Sequence, residues 1–206
     1  MSKAQFSTHL KASFFPRLRA AGFTGSGQHF CRVRGDVLQA INLQSNRDGG
    51  SCAVNLGIHL AFLPVTGGFQ PDPHHIQEIE CEFRRRLASR GKSDHWWNYG
   101  DNETETAASA ASLSEMFFTA AEPWFERFSS VAAIAAVFDH ARLDSKKFCP
   151  ELANLVPVRS ALTGARIHAQ LGNAAESRRL AAWGLANLGR AIALKEDLEK
   201  LAKGSL

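Results

Sequence analysis

A small set of side chains in this sequence could bind a ligand or transfer a proton. The candidates are Asn42, Gln44, Asn55, His59, Arg84, Arg86 and Trp97. Arginine supplies forked donors to an anion, side-chain amides orient a polar ligand, and an imidazole donates or accepts a proton near neutral pH. These residue types indicate an anion or a polar peptide as the ligand.

His59 is the candidate for acid or base catalysis, with Arg84 or Arg86 holding an anionic substrate. The structural alternative is that Asn42 and Asn55 bond across neighbouring strands or to a loop that crosses them. Because no nucleophile–base signature is present, we assign no catalytic residue and favour a non-enzymatic interaction or regulatory module. An enzyme or a small-anion-binding protein is the alternative. Burial of His59 beneath a loop, with no open cleft beside the two arginines, would rule out the enzyme hypothesis.

Trp96 and Trp97 form the densest aromatic cluster. They could stack on a base or a ring ligand, or they could close an edge of the core. Adjacent residues of an extended segment point in opposite directions, so we expect one indole to be buried and the other exposed. The formal net charge of +4 is a modest excess, and we do not expect a nucleic acid as partner.

The potential metal ligands are four cysteines and a His74–His75 pair. The cysteines are Cys31, Cys52, Cys81 and Cys149, and they show no C-x-x-C spacing. Three of them fall in predicted strands and could meet at a metal, but buried free cysteines behave as small hydrophobic residues. The histidine pair has no third ligand at a matching spacing. We therefore predict free thiols, no metal and no cofactor.

The ends and apolar runs of the sequence bear on its location. Residues 1–5 are too polar for a signal peptide, and no apolar run approaches the roughly 18 residues of a spanning helix. With free thiols, this predicts a cytoplasmic protein that does not enter the membrane.

The candidate residues depend on a meander of strands over residues 28–62. Turn signals at 34–36 and 46–50 separate three runs of two-residue alternation. In the third run one face is apolar, with Cys52, Val54, Leu56, Ile58, Leu60 and Phe62. The opposite face is polar or small, with Ala53, Asn55, Gly57, His59 and Ala61. The polar face is the one that could hold a ligand.

A fourth strand over residues 76–87 would complete the sheet. Its predicted core side carries Ile79, Cys81, Phe83, Arg85 and Leu87. The opposite side then brings Glu82, Arg84 and Arg86 beside the polar residues of the meander.

Helices before and after these strands predict a two-layer α+β fold, in which they cover one face of the sheet. The N-terminal helix carries Phe6, Leu10, Phe14 and Leu18 at every fourth position, and Pro16 predicts a kink near residues 13–15. Residues 101–112 suggest a mobile link, followed by a helix from Leu113 with a Ser112–Glu115 capping box. A further apolar helix is expected over 131–141.

The C-terminal segment has a purely helical pattern. The pattern predicts a helix from Pro157 that ends at Gly172–Asn173, and a second helix from Ala174 that could continue to Leu201. The pair is similar to one tetratricopeptide-type hairpin, which cannot bury both faces alone. We predict domains at 1–145 and 150–206, with the hairpin binding a protein partner or a second copy, and Trp183 as an anchor.

Several short motifs carry a family resemblance. They are Gly22-Phe23, Phe30-x-Arg32, Ile41-Asn42-x-Gln44-Ser45, Val54-Asn55-Leu56-Gly57-Ile58 and Trp96-Trp97. Over residues 5–140 the chain resembles the bacterial family known as domain of unknown function 4304. The resemblance implies a small α+β domain without an established activity, so it supplies no catalytic residues. The segment from about Cys149 onward looks like an extension.

Overall fold

The computed structural model describes residues 2–65, 67–89, 94–145, 152 and 156–204 of the chain. Contacts within the chain divide it into two compact units, Met1–Arg127 and Phe128–Leu206. The domain boundaries at 1–145 and 150–206 stay a prediction, and Cys149 lies outside the described residues.

An antiparallel sheet forms the centre of the first unit. Its strands follow the order β1-β2-β3-β4-β5, and β6 pairs with β4. Their bounds are β1 Thr24–Ser26, β2 His29–Arg34, β3 Val37–Ser45, β4 Ser51–Leu60, β5 Phe83–Arg86 and β6 Trp97–Asn98. Gly35 and Gly49 have positive φ angles of 57° and 81° in the two predicted hairpin turns. The meander and the α+β class are confirmed, while β1 and β6 are too short to show a two-residue period.

The two faces of the sheet have different neighbours. Ile41 lies opposite Leu56 and beside Phe30, whose ring is 4.8 Å from that of Phe15 in the N-terminal helix. We call this side the helix face. Asn42 lies opposite Asn55 on the other side, which we call the open face.

The predicted fourth strand is only partly correct. Pairing is limited to Phe83–Arg86, and Glu78–Glu80 forms a 3₁₀ turn instead. Ile79 is 66% exposed rather than buried. Cys81 is buried, but it packs against Gly57 on the open face and not on the predicted core side. The chain crosses the sheet before it joins the edge, so the alternation over 76–82 did not indicate a strand.

Two long helical stretches cover the helix face, and each contains a wide π turn. The first has α1 Lys3–His9, a π turn Leu10–Phe14 and α2 Phe15–Ala20; the second has α3 Glu103–Met116, a π turn Phe117–Ala121 and α4 Glu122–Arg127. Each π turn ends two residues before a proline, Pro16 or Pro123. The expected interruption at Pro16 therefore takes the form of a π turn. The rings of Phe14 and Phe117 meet at 5.2 Å between the two stretches.

The prediction of a mobile link over 101–112 was wrong. Helix α3 begins at Glu103, and Asn102 caps it by accepting a hydrogen bond from the Glu105 N–H at 3.0 Å. Alanine has the highest intrinsic helix propensity, and acidic residues in a first turn stabilise the helix dipole. Ser112 consequently lies inside the helix and not at its start.

Arg32 and Gln39 form a polar pair within the helix face. Arg32 donates from Nε to Gln39 Oε1 at 2.6 Å and from Nη1 to Glu122 Oε1 at 2.7 Å. Gln39 in turn donates to the Phe125 carbonyl at 2.9 Å. The ion pair with Glu122 compensates the cost of burying the Arg32 charge. Through these bonds the arginine of the Phe30-x-Arg32 motif joins β2 to the second helical stretch.

The second unit is helical. Its elements are α5 Val131–Ala135, α6 His140–Asp144, α7 Pro157–Gln170, α8 Ala174–Ala186, a 3₁₀ turn Ile192–Leu194 and α9 Lys195–Lys203. The predicted C-terminal hairpin is α7–α8, whose turn places Gly172 at a φ of 75°. The second helix ends at Ala186, and α9 packs Leu198 and Leu201 into the same core. The helix expected over 131–141 is divided between α5 and α6.

Candidate functional site

The open face of the sheet is divided into a covered end and an exposed end. At the covered end, a small apolar cluster contains Cys31, Leu38, Ala40, Ile76 and Cys81. The segment that follows β4, residues 61–65 and 67–82, supplies Ile76 and Cys81 to this cluster. We call it the covering segment.

His59 is buried beneath the covering segment, with 0% exposure. Its Nδ1 accepts a hydrogen bond from the Glu82 N–H at 3.0 Å. Its Nε2 lies 3.0 Å from the Leu63 carbonyl oxygen, which can only accept. The ring therefore carries its proton on Nε2 and connects β4 to both ends of the covering segment.

At the exposed end, side-chain amides and an arginine form a hydrogen-bonded network. Asn55 Nδ2 donates to Asn42 Oδ1 at 3.2 Å and to Gln44 Oε1 at 2.9 Å. Arg86 donates from Nε to Asn55 Oδ1 at 3.0 Å and from Nη2 to Gln44 Oε1 at 2.7 Å. Four of the predicted candidates thus touch one another, and their positions are fixed by these bonds.

A cleft of about 330 Å³ lies against this network, between the exposed end and the covering segment. It is lined by His29, Asn42, Gln44, Asn55, Gln77, Glu78, Ile79 and Arg84, and we call it the sheet-face cleft. Arg84 donates from Nε to Glu78 Oε1 at 2.6 Å. The carboxylate of Glu78 is largely buried, while the Arg84 side chain is 46% exposed. Arg84 therefore presents the rest of its guanidinium group towards solvent.

Asp94 and Trp96 extend the network beyond Arg86. Asp94 accepts from Arg86 Nη1 at 3.1 Å and from the Trp96 indole at 2.9 Å, and the Arg86 guanidinium lies 5.1 Å from the Trp96 ring. Desolvation opposes ionisation of Asp94, but the hydrogen bonds from Arg86 and Trp96 outweigh it and lower the pKa of Asp94. Asp94 thus balances the charge of Arg86.

Of the two tryptophans, Trp97 is buried and Trp96 lies beside the network. Trp97 is 2% exposed and pairs with Cys52, which places it on the helix face. One indole is buried, as expected. Trp97 therefore lies away from the other candidates, whereas Trp96 contacts the guanidinium group of Arg86 with its ring.

Three cleft residues were absent from the sequence analysis. His29 lies directly opposite Asn42 in the register, and extending the alternation of β3 across to β2 would have found it. Gln77 and Glu78 could not be found in this way, because the alternation over 76–87 predicted a strand where the chain crosses the sheet.

The described cysteines are free, buried and divided between the two faces. Cys31 and Cys81 lie in the open-face cluster, whereas Cys52 pairs with Ser45 on the helix face. Burial raises the pKa of Cys52 to about 12. The His74–His75 pair lies in the covering segment, where His75 Nδ1 is 2.9 Å from Asp72 Oδ2. Within the described residues, no three His, Cys, Asp or Glu side chains are grouped so that they could hold a metal ion.

The family model for a domain of unknown function, DUF4304, matches residues 14–127. This match spans more than half of the chain, so the protein belongs to that family. It contains every residue of the sheet-face cleft and ends at Arg127, where the first compact unit ends. No curated protein and no solved structure matches the chain. Throughout the described part of the chain, each helix is too short or too polar to span a membrane.

Proposed function

We propose that this protein is a non-enzymatic interaction module that binds a segment of a partner protein in the sheet-face cleft. The observation that carries the proposal is the fixed network of Asn42, Gln44, Asn55 and Arg86 along one wall of an open cleft. Side chains held by mutual hydrogen bonds lose little conformational entropy when a ligand binds. A polypeptide offers carbonyl and amide groups at regular spacing to such a wall.

His59 argues against the alternative of an enzyme. Both ring nitrogens are engaged by backbone groups and the ring is fully buried, so it does not reach a substrate in the cleft. Arg84 and Arg86 are each held by a carboxylate, from Glu78 and Asp94. An open cleft does lie beside Arg84, which keeps the binding of a small anion as the second candidate.

A photo-crosslinker at Ile79 tests this proposal. Ile79 lines the cleft and is 66% exposed, so benzoylphenylalanine at this position should leave the fold intact and form an adduct with a protein of discrete mass in the native host. The same group at Val33, which is exposed outside the cleft, is the matched control. The adduct should disappear in an Asn55→Leu background. Equal labelling from both positions, or labelling that survives Asn55→Leu, would contradict the proposal.

We also propose that the second unit associates with a second copy of itself. A groove of about 690 Å³ on this unit is lined by Val156, Pro157, Val158, Trp183, Asn187, Leu188, Gly189, Arg190 and Ala191. Among the described residues that line the groove, Arg190 alone is charged, so two copies of the groove can approach with little repulsion. A hairpin of this kind buries its remaining apolar face on a neighbouring hairpin, and a copy of the same chain supplies one.

We further propose that the protein is located in the cytoplasm. It is supported by Cys31, Cys52 and Cys81, which are all free, since reduced thiols persist in that compartment.

A further inference from the structure

The orientation of every amide in the network follows from Arg86. A guanidinium group has donors only, so the Asn55 atom 3.0 Å from Arg86 Nε must be the carbonyl oxygen. For the same reason, the Gln44 atom 2.7 Å from Arg86 Nη2 is Oε1. The amide nitrogen of Gln44 consequently points away from the network, and no described residue accepts from it.

The orientation of Asn55 in turn fixes the orientation of the Asn42 amide and the tautomer of His29. Since Asn55 presents its Nδ2 to Asn42, the Asn42 atom at 3.2 Å is Oδ1. Asn42 Nδ2 then faces His29 Nδ1 at 3.4 Å, and this ring nitrogen must accept. A neutral His29 therefore carries its proton on Nε2, as a donor.

The opposite wall of the cleft repeats the arrangement. The Glu80 N–H donates to the Gln77 backbone carbonyl at 3.0 Å, so the side-chain amide of Gln77, which lines the cleft, is left to bind a ligand. Arg84 uses Nε for Glu78, and no described residue accepts from its two terminal nitrogens. Along the network the amide oxygens of Asn42, Gln44 and Asn55 accept hydrogen bonds, and on the opposite wall the terminal N–H groups of Arg84 remain as donors.

We propose that the sheet-face cleft is a carboxylate-binding site, formed by the outward N–H groups of His29, Gln44 and Arg84, with the Gln77 amide on the same wall as Arg84. This inference rests on the proposed function, because it names the group of the partner segment that the cleft holds. A carboxylate only accepts hydrogen bonds, so it matches a lining of donors, and its bonds to Arg84 are charge-assisted. A hydroxyl or amide N–H of a ligand would instead compete for the oxygens of Asn42, Gln44 and Asn55, which already accept hydrogen bonds.

The charges of the cleft limit the affinity. Glu78 balances Arg84 and Asp94 balances Arg86, so the unliganded site is close to neutral and a bound carboxylate shares Arg84 with Glu78. We therefore expect weak binding that weakens further with added salt.

Nuclear magnetic resonance titration of the full-length protein provides the test. The probes are an acetylated, amidated Gly-Asp-Gly peptide, its Gly-Asn-Gly analogue, and acetate. We expect the aspartate peptide to shift the side-chain amide signals of Gln44 and Gln77 and to bind about tenfold more tightly than the asparagine peptide.

Two variants test whether the outward N–H of Gln44 causes the preference for aspartate. Gln44→Glu keeps an oxygen towards Arg86 but replaces the outward N–H with an acceptor, so it should abolish the preference for aspartate. Gln170→Glu makes the same charge change at an exposed position outside the cleft and should leave the preference unchanged. A native amide spectrum for both variants confirms that they fold.

The outcomes separate this inference from the proposed function. Equal binding of both peptides at Gln44 would overturn the carboxylate inference and leave the cleft as a peptide site. Acetate binding as tightly as the aspartate peptide would support a carboxylate site, and it would overturn the proposal that the ligand is a segment of a partner protein. If neither peptide nor acetate moved the cleft signals, both proposals would be overturned.

Discussion

At the scale of single residues, a polar side chain of this sheet acts according to what covers it. His59 and Asn55 lie four residues apart on the same face of β4. The covering segment buries His59 and uses both ring nitrogens, whereas Asn55 beyond its edge bonds to Arg86 and lines the cleft. Chemical type alone therefore does not decide which of them can meet a ligand.

Cys52 provides a prediction about pH at this scale. Burial disfavours the thiolate and raises the pKa of Cys52 to about 12 in the folded protein, against 9.0 for an unperturbed thiol. A raised pKa contributes stability that is complete below the unfolded pKa and is lost as pH rises towards the folded pKa. The free energy of unfolding therefore falls between pH 9 and about 12, by about 1.4 kcal/mol per pH unit.

Urea unfolding at pH 8 and pH 10.5 measures this effect. Between these values the wild type should lose about 2 kcal/mol more of its free energy of unfolding than Cys52→Ala. Other alkaline groups titrate in both proteins and cancel in the comparison. Parallel losses in the two proteins would show that Cys52 does not contribute.

Most of the candidate residues could be predicted from the sequence because period-two alternation fixes the face of each strand residue. Asn42, Gln44 and Asn55 were placed together on that basis, and the structure brings them into contact with Arg86. Burial depends on what crosses the face, and alternation within a strand carries no such information. His59 was included among the candidates for this reason.

At the scale of elements, Gly57 allows the covering segment to lie close to the sheet. A Cβ at this position would be 2.6 Å from Cys81 Sγ, 2.8 Å from Cys81 Cβ and 3.2 Å from Glu78 Cα. These distances are shorter than van der Waals contact. The absence of a side chain at Gly57 therefore sets how near Glu78, and with it one wall of the cleft, approaches β4.

Gly57→Ala should destabilise the first unit by about 1–3 kcal/mol, since the covering segment must move outward. Urea unfolding measures the loss. Cys81→Gly removes both Cys81 atoms that meet the new methyl group, so in a double-mutant cycle it should recover part of the loss. Strict additivity of the two substitutions would indicate that the close approach does not decide the effect.

The errors in the predicted elements share a physical cause. Alternation over 76–82 indicated a strand, but the chain there crosses above Gly57, and no local pattern records a long-range contact. The alanine-rich segment of α3 lacks a strong apolar stripe, so it resembled a link, although its intrinsic propensity and the Asn102 cap are enough for a helix.

At the scale of the whole molecule, the family domain and the first compact unit end at the same residue, Arg127. The sheet-face cleft belongs to the family domain, and the apolar groove belongs to the second unit, outside the family match. The proposed ligand binding therefore belongs to the first unit, and the proposed self-association belongs to the second.

Sedimentation velocity of the full-length protein tests self-association. Val156 lines the groove and is 62% exposed, so Val156→Glu should convert a dimer into a monomer by placing a charge in the apolar contact. Leu171→Glu alters an exposed residue at the other end of α7 and should leave the dimer intact. A wild type that sediments as a monomer at all concentrations would contradict the proposal.

The two π turns explain a spacing that an ordinary helix does not favour. Buried residues recur at exact four-residue intervals in both stretches: Phe6, Leu10, Phe14 and Leu18, then Leu113, Phe117, Ala121 and Phe125. At 3.6 residues per turn, such a repeat would rotate by about 40° per step and soon leave the core. The wider π turn in the middle of each stretch takes up one extra residue and restores the phase. A strict repeat of four, with a proline two residues after its third member, is therefore the signature by which this pair of wide turns can be found in a sequence.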